Sequence, residues 1–178
     1  MNRDLVLRTE RCVLHPLTGE NVEDLHELWT HPQVRRYLWD NEVIPFEQTA
    51  SIVQASARLF EKKGFGLWGA FDLENGELIG FCGYWYFYDP PELQILYGIA
   101  AAHWGKGYAT ELAGVVIERG FQVHGFERVA GATDVPNRAS ARVMEKVGMK
   151  LERRAMKNGV DTLFYAIERP ASLTAPDR

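Results

Sequence analysis

The chain has 178 residues, of which 46% are hydrophobic and 25% are charged, and its formal net charge is −4. This length and composition predict one globular domain with a sizeable core, and they exclude a disordered or low-complexity chain. The negative net charge argues against a nucleic-acid binder. No apolar run is long enough to span a bilayer and the amino terminus has no signal-like apolar region, so we expect a cytoplasmic protein without membrane partners.

The first half of the chain predicts a strand, two helices and an antiparallel meander of strands. Alternating branched residues indicate the strands, and apolar residues at helical spacing indicate the helices. Asn75–Gly76 is typical of a hairpin turn, and Gly64 is a candidate left-handed residue at the end of a helix. The predicted elements are a strand at 5–17, helices at 18–34 and 46–64, and strands at 65–73, 78–88 and 93–101.

The second half predicts alternating helices and strands that end in a hairpin at Asn158–Gly159. Its elements are a helix at 107–123, a strand at 128–135, a helix at 137–148, and strands at 149–157 and 160–169. A strand–helix–strand order favours a right-handed crossover between parallel neighbours. We therefore predict a single mixed α/β domain over 1–169, with about seven strands in one mixed sheet flanked by helices, and a flexible tail at 170–178.

The cysteines and histidines do not predict a metal site. Cys12 and Cys82 lie in separate strand-like segments without Cys-x-x-Cys spacing, which indicates reduced core residues. The five histidines include no pair at metal-ligand spacing on one helix. Charge is uneven, because residues 1–89 have 14 acidic and 8 basic side chains whereas residues 90–178 have 10 and 12. An anionic ligand would suit the second half and a cationic ligand the first, with chance scatter of surface charge as the alternative.

A glycine-rich turn, "AHWGKGYATEL" at 102–112, joins a predicted strand to a predicted helix. The first N–H groups of a helix lack intrahelical partners and carry partial positive charge, and glycines let a phosphate approach them closely. The P-loop pattern fails here because Tyr108, and not lysine, follows Gly107. The dinucleotide-binding fingerprint fits only at Gly105 and Gly107, because Thr110 replaces its third glycine.

A third pattern fits this turn better. "WGKGYAT" at 104–110 resembles the pyrophosphate loop Q/R-x-x-G-x-G/A of the GNAT superfamily of N-acetyltransferases, although Trp104 replaces the Gln or Arg. The tryptophan form with a following Thr-Glu is similar to the RimJ/RimL-like branch, which acetylates protein N-terminal amines. The segments "LRTERCVLHPLTGENVEDL", "PQVRRYLWDNEV" and "NRASARVMEKVGM" also resemble this branch, so the resemblance covers roughly residues 5–169.

The resemblance implies the GNAT acyl-CoA N-acyltransferase fold and acetyl transfer from acetyl-CoA to an amine. In this fold the strands predicted at 93–101 and 128–135 splay apart beside a bulge, and the pantetheine arm pairs with the first of them. The pyrophosphate then binds the glycine turn, and the second of the two following helices lines the cofactor tunnel. The implied cofactor-binding residues are Ile99, Ala100 and Ala101 on the strand, Gly105, Lys106, Gly107, Tyr108, Ala109 and Thr110 in the turn, and Asn137, Ser140 and Val143 on the helix.

The catalytic groups that the resemblance implies are incomplete. Met144 stands where many members have the tyrosine that protonates the leaving thiolate, so Ser140 is the next candidate donor; alternatively the thiolate leaves unprotonated and is quenched by water. Gln94 stands where related sequences often carry glutamate, and side chains two positions apart on a strand share one face. We therefore predict Glu92, acting through water, as the general base. The residues predicted to bind the acceptor amine are Trp39, Asp40, Glu42 and Trp85.

The sequence therefore predicts an acetyl-CoA-dependent N-acetyltransferase without a metal, acting as a monomer or homodimer. The predicted acceptor is the amine of a protein or peptide N-terminus, and a small-molecule amine is the alternative. A non-catalytic acyl-CoA-binding protein is an alternative of another class, because of Met144 and Gln94. A nucleotide-binding domain is a third, more distant interpretation.

Overall fold

A computed structural model of the protein describes residues 5–173, which form one eight-stranded sheet with helices on both faces. The strands are β1 Leu7–Arg8, β2 Cys12–Pro16, β3 Leu67–Asp72, β4 Leu78–Phe87, β5 Glu92–Ile99, β6 Arg128–Asp134, β7 Lys150–Lys157 and β8 Val160–Glu168. Their order in the sheet is β1-β2-β3-β4-β5-β6-β8-β7. The helices are α1 Val22–Thr30, α2 Pro32–Leu38, α3 Phe46–Lys63, α4 Tyr108–Gln122 and α5 Arg138–Lys146.

Two predicted elements are each divided in the structure. The strand at 5–17 is a hairpin of β1 and β2, because the backbone N–H of Thr9 donates to the Cys12 carbonyl at 2.9 Å and closes a turn. The helix at 18–34 is interrupted at His31, whose ψ of 129° is extended, because a residue before proline avoids the helical region. The extra strand explains why the sheet has eight strands instead of about seven.

Several local predictions are confirmed. Gly64 follows α3 with a left-handed φ of +76°. The turns at Asn75–Gly76 and Asn158–Gly159 connect the antiparallel pairs β3–β4 and β7–β8. Cys12 and Cys82 are free and buried. Of the predicted tail, residues 174–178 lie outside the described residues, whereas Leu173 packs against the core.

Apolar side chains fill both faces of the sheet. On one face α4 and α5 cover a cluster that includes Leu112, Val116 and Met144. On the other face α1, α2 and α3 cover a second cluster, in which the Trp29 and Phe81 rings lie 5.4 Å apart. Burial of each large side chain contributes about 1.5–3 kcal/mol, so the two clusters fix the helices relative to the strands.

The parallel strands β5 and β6 separate after a short contact. They are joined through α4, as predicted, and among the described residues their backbones pair only at Gln94 with Ala130. Beyond this bridge both strands continue towards their carboxyl ends without pairing, which leaves a splay between them. The β4–β5 register has no shift from Glu92 to Ile99, so the expected bulge is absent from this strand. The strand ends at Ile99 and not at 101, because Ala101–His103 form a 3-10 turn.

Candidate active site

The glycine turn lies at the carboxyl end of β5, where the splay opens. Gly105 and Gly107 have φ values of +75° and +87°, which glycine adopts without steric cost. The N–H of Glu111 donates to the Gly107 carbonyl at 3.1 Å, so the N–H groups at 108–110 precede the first intrahelical donor. These groups stand at the positive end of α4, which favours an anion.

Trp104 joins the turn to the end of β5. Its indole Nε1–H donates to the Ile99 carbonyl at 2.7 Å, while the Ala100 N–H donates to the Ile79 carbonyl of β4 at 2.8 Å. Hydrogen-bonding groups alternate along antiparallel strands, so the backbone groups of Tyr97 and Ile99 face the splay. Ala100 faces β4 instead, and this orientation is decided by register, which the sequence does not specify.

Asn137 is the N-cap of α5, and its Oδ1 accepts from the Ser140 N–H at 3.2 Å. This is the capping role that Asn favours, and it leaves the Asn137 amide N–H₂ available to another acceptor. Val143 is half-buried on the same helix, and Met144 is buried beneath Gly131 of β6. The amino-terminal turn of α5 therefore lies next to the splay.

Tyr97 is a candidate functional residue that the sequence analysis missed. Its hydroxyl donates to the Ser140 carbonyl at 3.0 Å and lies 2.8 Å from Ser140 Oγ. This contact links β5 to α5 across the splay. Burial raises the pKa of Tyr97, so its O–H stays protonated at neutral pH. The tyrosine was missed because it lies on the strand, 43 residues before Ser140, and not on the helix.

Asp134 is a second residue that the sequence analysis missed. It ends β6, four residues beyond the bridge at Ala130. Gly131 faces Met144 of α5, and strand side chains alternate, so Asp134 faces the side that α1–α3 cover. Burial raises the pKa of Asp134, and the nearby Asp40 carboxylate raises it further. An acidic residue at the carboxyl end of a strand beside the splay is the signal that could have identified it.

Tyr88, in the loop after β4, is a third candidate residue that the sequence analysis missed. Its φ of +68° is unfavourable for a bulky residue. Its ring centroid lies 6.3 Å from that of Phe164 on β8 and 4.3 Å from Lys157 Nζ on β7, so the side chain extends over β5 and β6. Burial raises the pKa of Tyr88, and the Glu92 carboxylate raises it further, whereas the Gln94 amide lowers it. The Gln94 side-chain nitrogen is buried and has no hydrogen-bond acceptor within residues 5–173.

The other predicted catalytic and acceptor residues are distributed over the side of the sheet that α1–α3 cover and along its edge. Glu92 opens β5 opposite Phe87, two residues before the bridge, so it lies at the paired end of the splay and Asp134 at the open end. Asp40 and Glu42 are exposed after α2, and Asp40 lies near Asp134. The Trp39 ring packs on Trp29 at 5.3 Å.

Trp85 lines a shallow groove on the same side of the sheet. It stands opposite Gln94 across the β4–β5 pair, one strand away from the splay. The groove has a volume of about 370 Å³ and lies between α3 and β4. Its lining residues are Ala55, Arg58, Leu59, Lys62, Trp85 and Tyr86.

Splayed parallel strands with a glycine turn at one end and a capped helix at one side define an acyl-CoA N-acyltransferase fold. The Acetyltransferase (GNAT) domain family matches residues 11–150, so the chain belongs to the GNAT acetyltransferase family. This membership confirms the predicted enzyme class, an acetyl-CoA-dependent acyltransferase.

Known proteins with different acceptors share the fold. The chain is 30% identical over 172 residues to the uncharacterized N-acetyltransferase YoaA of Bacillus subtilis, covering 93% of this chain and 97% of YoaA. RimL, a ribosomal L7/L12 α-N-protein acetyltransferase solved with coenzyme A, superimposes with a TM-score of 0.77 at 19% identity, covering 92% and 97% of the two chains. The aminoglycoside acetyltransferase AAC(6')-Ib superimposes with a TM-score of 0.72 at 17% identity, covering 89% and 95%. These likenesses therefore establish the fold and leave the acceptor class open.

Residues 5–173 contain neither a metal-binding cluster nor a membrane-spanning helix. No group of three or more His, Cys, Asp or Glu side chains in this range is arranged to hold a metal ion. No helix in it has the length and apolar character needed to cross a membrane.

Proposed function

We propose that the protein transfers the acetyl group of acetyl-CoA to the α-amine of a protein or peptide N-terminus. The observation that carries this proposal is the α1–α3 side of the splay, where Asp40 and Asp134 lie near each other; the groove between α3 and β4 lies separately on the same side of the sheet. Two carboxylates suit a single ammonium group.

The chain's own groups fit acetyl-CoA. The backbone donors from Gly105 to Thr110 bind the pyrophosphate, with Lys106 and the Thr110 hydroxyl as further donors. The backbone groups of Tyr97 and the N–H of Ile99 pair with the pantetheine arm, because the Ile99 carbonyl already accepts from Trp104. This shorter edge replaces the run to Ala101 expected from the sequence. On α5, the free amide N–H₂ of Asn137 donates to a pantetheine carbonyl beside Ser140 and Val143.

The reaction needs a neutral amine and a stabilised leaving group. The amine nitrogen attacks the thioester carbonyl carbon, its proton passes to a carboxylate directly or through water, and the C–S bond breaks with its electron pair on sulfur. We propose Asp134 as the base, because a carboxylate with a raised pKa at the open end of the splay suits proton removal near neutral pH. Glu92, at the paired end, stays a prediction, and Asp40, Glu42, Trp39 and Trp85 bind the acceptor.

We propose that Ser140 donates a hydrogen bond to the leaving thiolate and that Tyr97 positions Ser140. The single Tyr97 O–H proton has two acceptors within reach, the Ser140 carbonyl at 3.0 Å and Ser140 Oγ at 2.8 Å. In the orientation in which it donates to Oγ, the serine proton is free to point at the thiolate. This pair supplies a donor where Met144 cannot. It explains how a chain without the helix tyrosine can retain catalysis.

Ser140→Ala is expected to lower kcat about 100-fold, the lower range for loss of one donor to developing charge, without raising the KM for acetyl-CoA more than about twofold. Tyr97→Phe should lower kcat in the same way but by less. Tyr165→Phe is the matched control, because Tyr165 is also buried and donates to Glu145 of α5 at 3.2 Å. Steady-state kinetics measure these effects, and equal kcat values in Tyr97→Phe and Tyr165→Phe would remove Tyr97 from the mechanism.

The groove supports a peptide over a polycationic small molecule. Arg58 and Lys62 line it beside Trp85, and Lys63 Nζ lies 4.7 Å from the centre of the Tyr86 ring. These cations repel a polyamine or an aminoglycoside, which has several positive charges. A peptide has one α-ammonium group, and its other residues can be neutral or acidic.

A panel of amines tests the proposed acceptor. Thiol release from acetyl-CoA is measured with N-terminal peptides of neutral or acidic sequence, with spermidine and with an aminoglycoside. We expect the peptides to have the highest kcat/KM, with mass spectrometry placing the acetyl group on the α-amine. We expect Arg58→Glu with Lys62→Glu to reduce turnover of an acidic peptide. A preference for spermidine or the aminoglycoside would establish the small-molecule alternative, and CoA binding without turnover of any amine would establish a non-catalytic protein.

A further inference from the structure

Arg11, in the turn between β1 and β2, makes a set of contacts with the glycine turn that the function described above does not explain. Its Nη1–H donates to the Lys106 carbonyl at 2.9 Å, and its Nε–H donates to Glu111 Oε2 at 2.9 Å. Its backbone N–H donates to Glu111 Oε1 at 3.0 Å. Its guanidinium carbon lies 4.0 Å from the centre of the Tyr108 ring. One side chain thus contacts the turn and the first turn of α4, about 100 residues away.

We propose that Arg11 and Glu111 are positioning residues that hold the turn at 105–107 in the conformation that binds the acetyl-CoA pyrophosphate. The proposal rests on the proposed role of the turn. In a trans peptide the C=O and the next N–H point in opposite directions. A Lys106 carbonyl held by Arg11 therefore directs the Gly107 N–H away from Arg11, towards the open side of the turn.

This restraint matters because glycines occupy both sides of Lys106. Gly105 has nothing within 4 Å of the position of an added Cβ, so packing does not hold the turn at that residue. Glycine backbones interconvert readily between left- and right-handed regions, and the peptide between Lys106 and Gly107 can rotate at low cost. A charge-assisted hydrogen bond to its carbonyl selects one orientation before the ligand arrives.

The pair also neutralises a charge that would oppose a phosphate. Glu111 lies in the first turn of α4. Burial alone would raise its pKa, but hydrogen bonds from Thr9 and Arg11 hold the pKa below its usual value, so the carboxylate is ionised at neutral pH. Arg11 places a cation between this carboxylate and the turn, which reduces the repulsion between Glu111 and the pyrophosphate.

Calorimetric titration with CoA and with pantetheine, which lacks the pyrophosphate, tests the proposal. We expect Arg11→Gln to weaken CoA binding about tenfold or more and pantetheine binding less than about twofold. Arg11→Lys, which keeps the charge but loses the fork of donors, should fall between wild type and Arg11→Gln. Arg128→Gln is the matched control: Arg128 is similarly exposed, at 39% against 37%, and also pairs with carboxylates, but at the far end of β6.

Three results would overturn the proposal or its basis. Unchanged CoA affinity in Arg11→Gln, or an equal loss for CoA and pantetheine, would refute a role in positioning the turn. A CoA loss of the same size in Arg128→Gln would also refute it. A wild-type protein that binds CoA no more tightly than pantetheine would instead refute the proposed pyrophosphate function of the turn itself.

Discussion

Gly107→Trp is expected to lower the affinity for CoA at least about 100-fold. Gly107 has φ +87° and is the residue before the first turn of α4. A side chain there adopts an unfavourable backbone conformation, and its Cβ would lie 3.7 Å from Arg11 Nη2, so a tryptophan also displaces the side chain that holds the Lys106 carbonyl. Calorimetric titration with CoA measures the loss, and activity should fall with it.

Gly76→Trp is the control for backbone strain. Gly76 has φ +75° in the turn between β3 and β4, with nothing within 4 Å of an added Cβ. Both variants should lose thermal stability to a similar extent, because both place tryptophan in the left-handed region. Only Gly107→Trp should lose CoA. If the folded Gly107→Trp protein binds CoA with wild-type affinity, the turn does not bind the pyrophosphate.

Asp134→Asn is expected to lower kcat about 100-fold, the lower range for loss of a general base, while CoA affinity stays unchanged. Asparagine keeps the size of the side chain and removes its capacity to accept a proton. Steady-state kinetics at saturating acetyl-CoA measure the effect, and a titration with CoA checks that the site is intact. Glu92→Gln, measured in parallel, should reduce kcat less. The opposite order would make Glu92 the base, and an unchanged kcat in Asp134→Asn would exclude Asp134.

The pH profile gives a separate test of the same assignment. The base acts deprotonated, so the rate falls on the acid side as Asp134 gains a proton. Burial and Asp40 both raise the pKa of Asp134, which places this acid limb above the pKa of an ordinary aspartate. Asp40→Asn removes one of the two causes and should move the limb to lower pH without abolishing it. A limb that stays in place or moves upward in Asp40→Asn would contradict the assignment.

The local signals in the sequence were sufficient for most of the secondary structure. Gly64, Asn75–Gly76 and Asn158–Gly159 determine their turns through backbone preferences of one or two residues. The hairpin of β1 and β2 was missed because its turn contains neither glycine nor proline and is closed by Thr9, whose hydroxyl accepts from the Cys12 N–H. The break at His31 could have been predicted from Pro32.

The sequence by itself determined the candidate anion site, because two glycines, a helix start and the spacing to Asn137 are all local patterns. Only the tertiary structure decided which groups that are distant in the sequence lie next to each other. Tyr97 reaches Ser140, Asp134 lies near Asp40, and Arg11 holds the Lys106 carbonyl. Each of these pairs joins residues 43 to 95 positions apart, and their distances depend on strand register and helix packing, for which a single sequence carries no local signal.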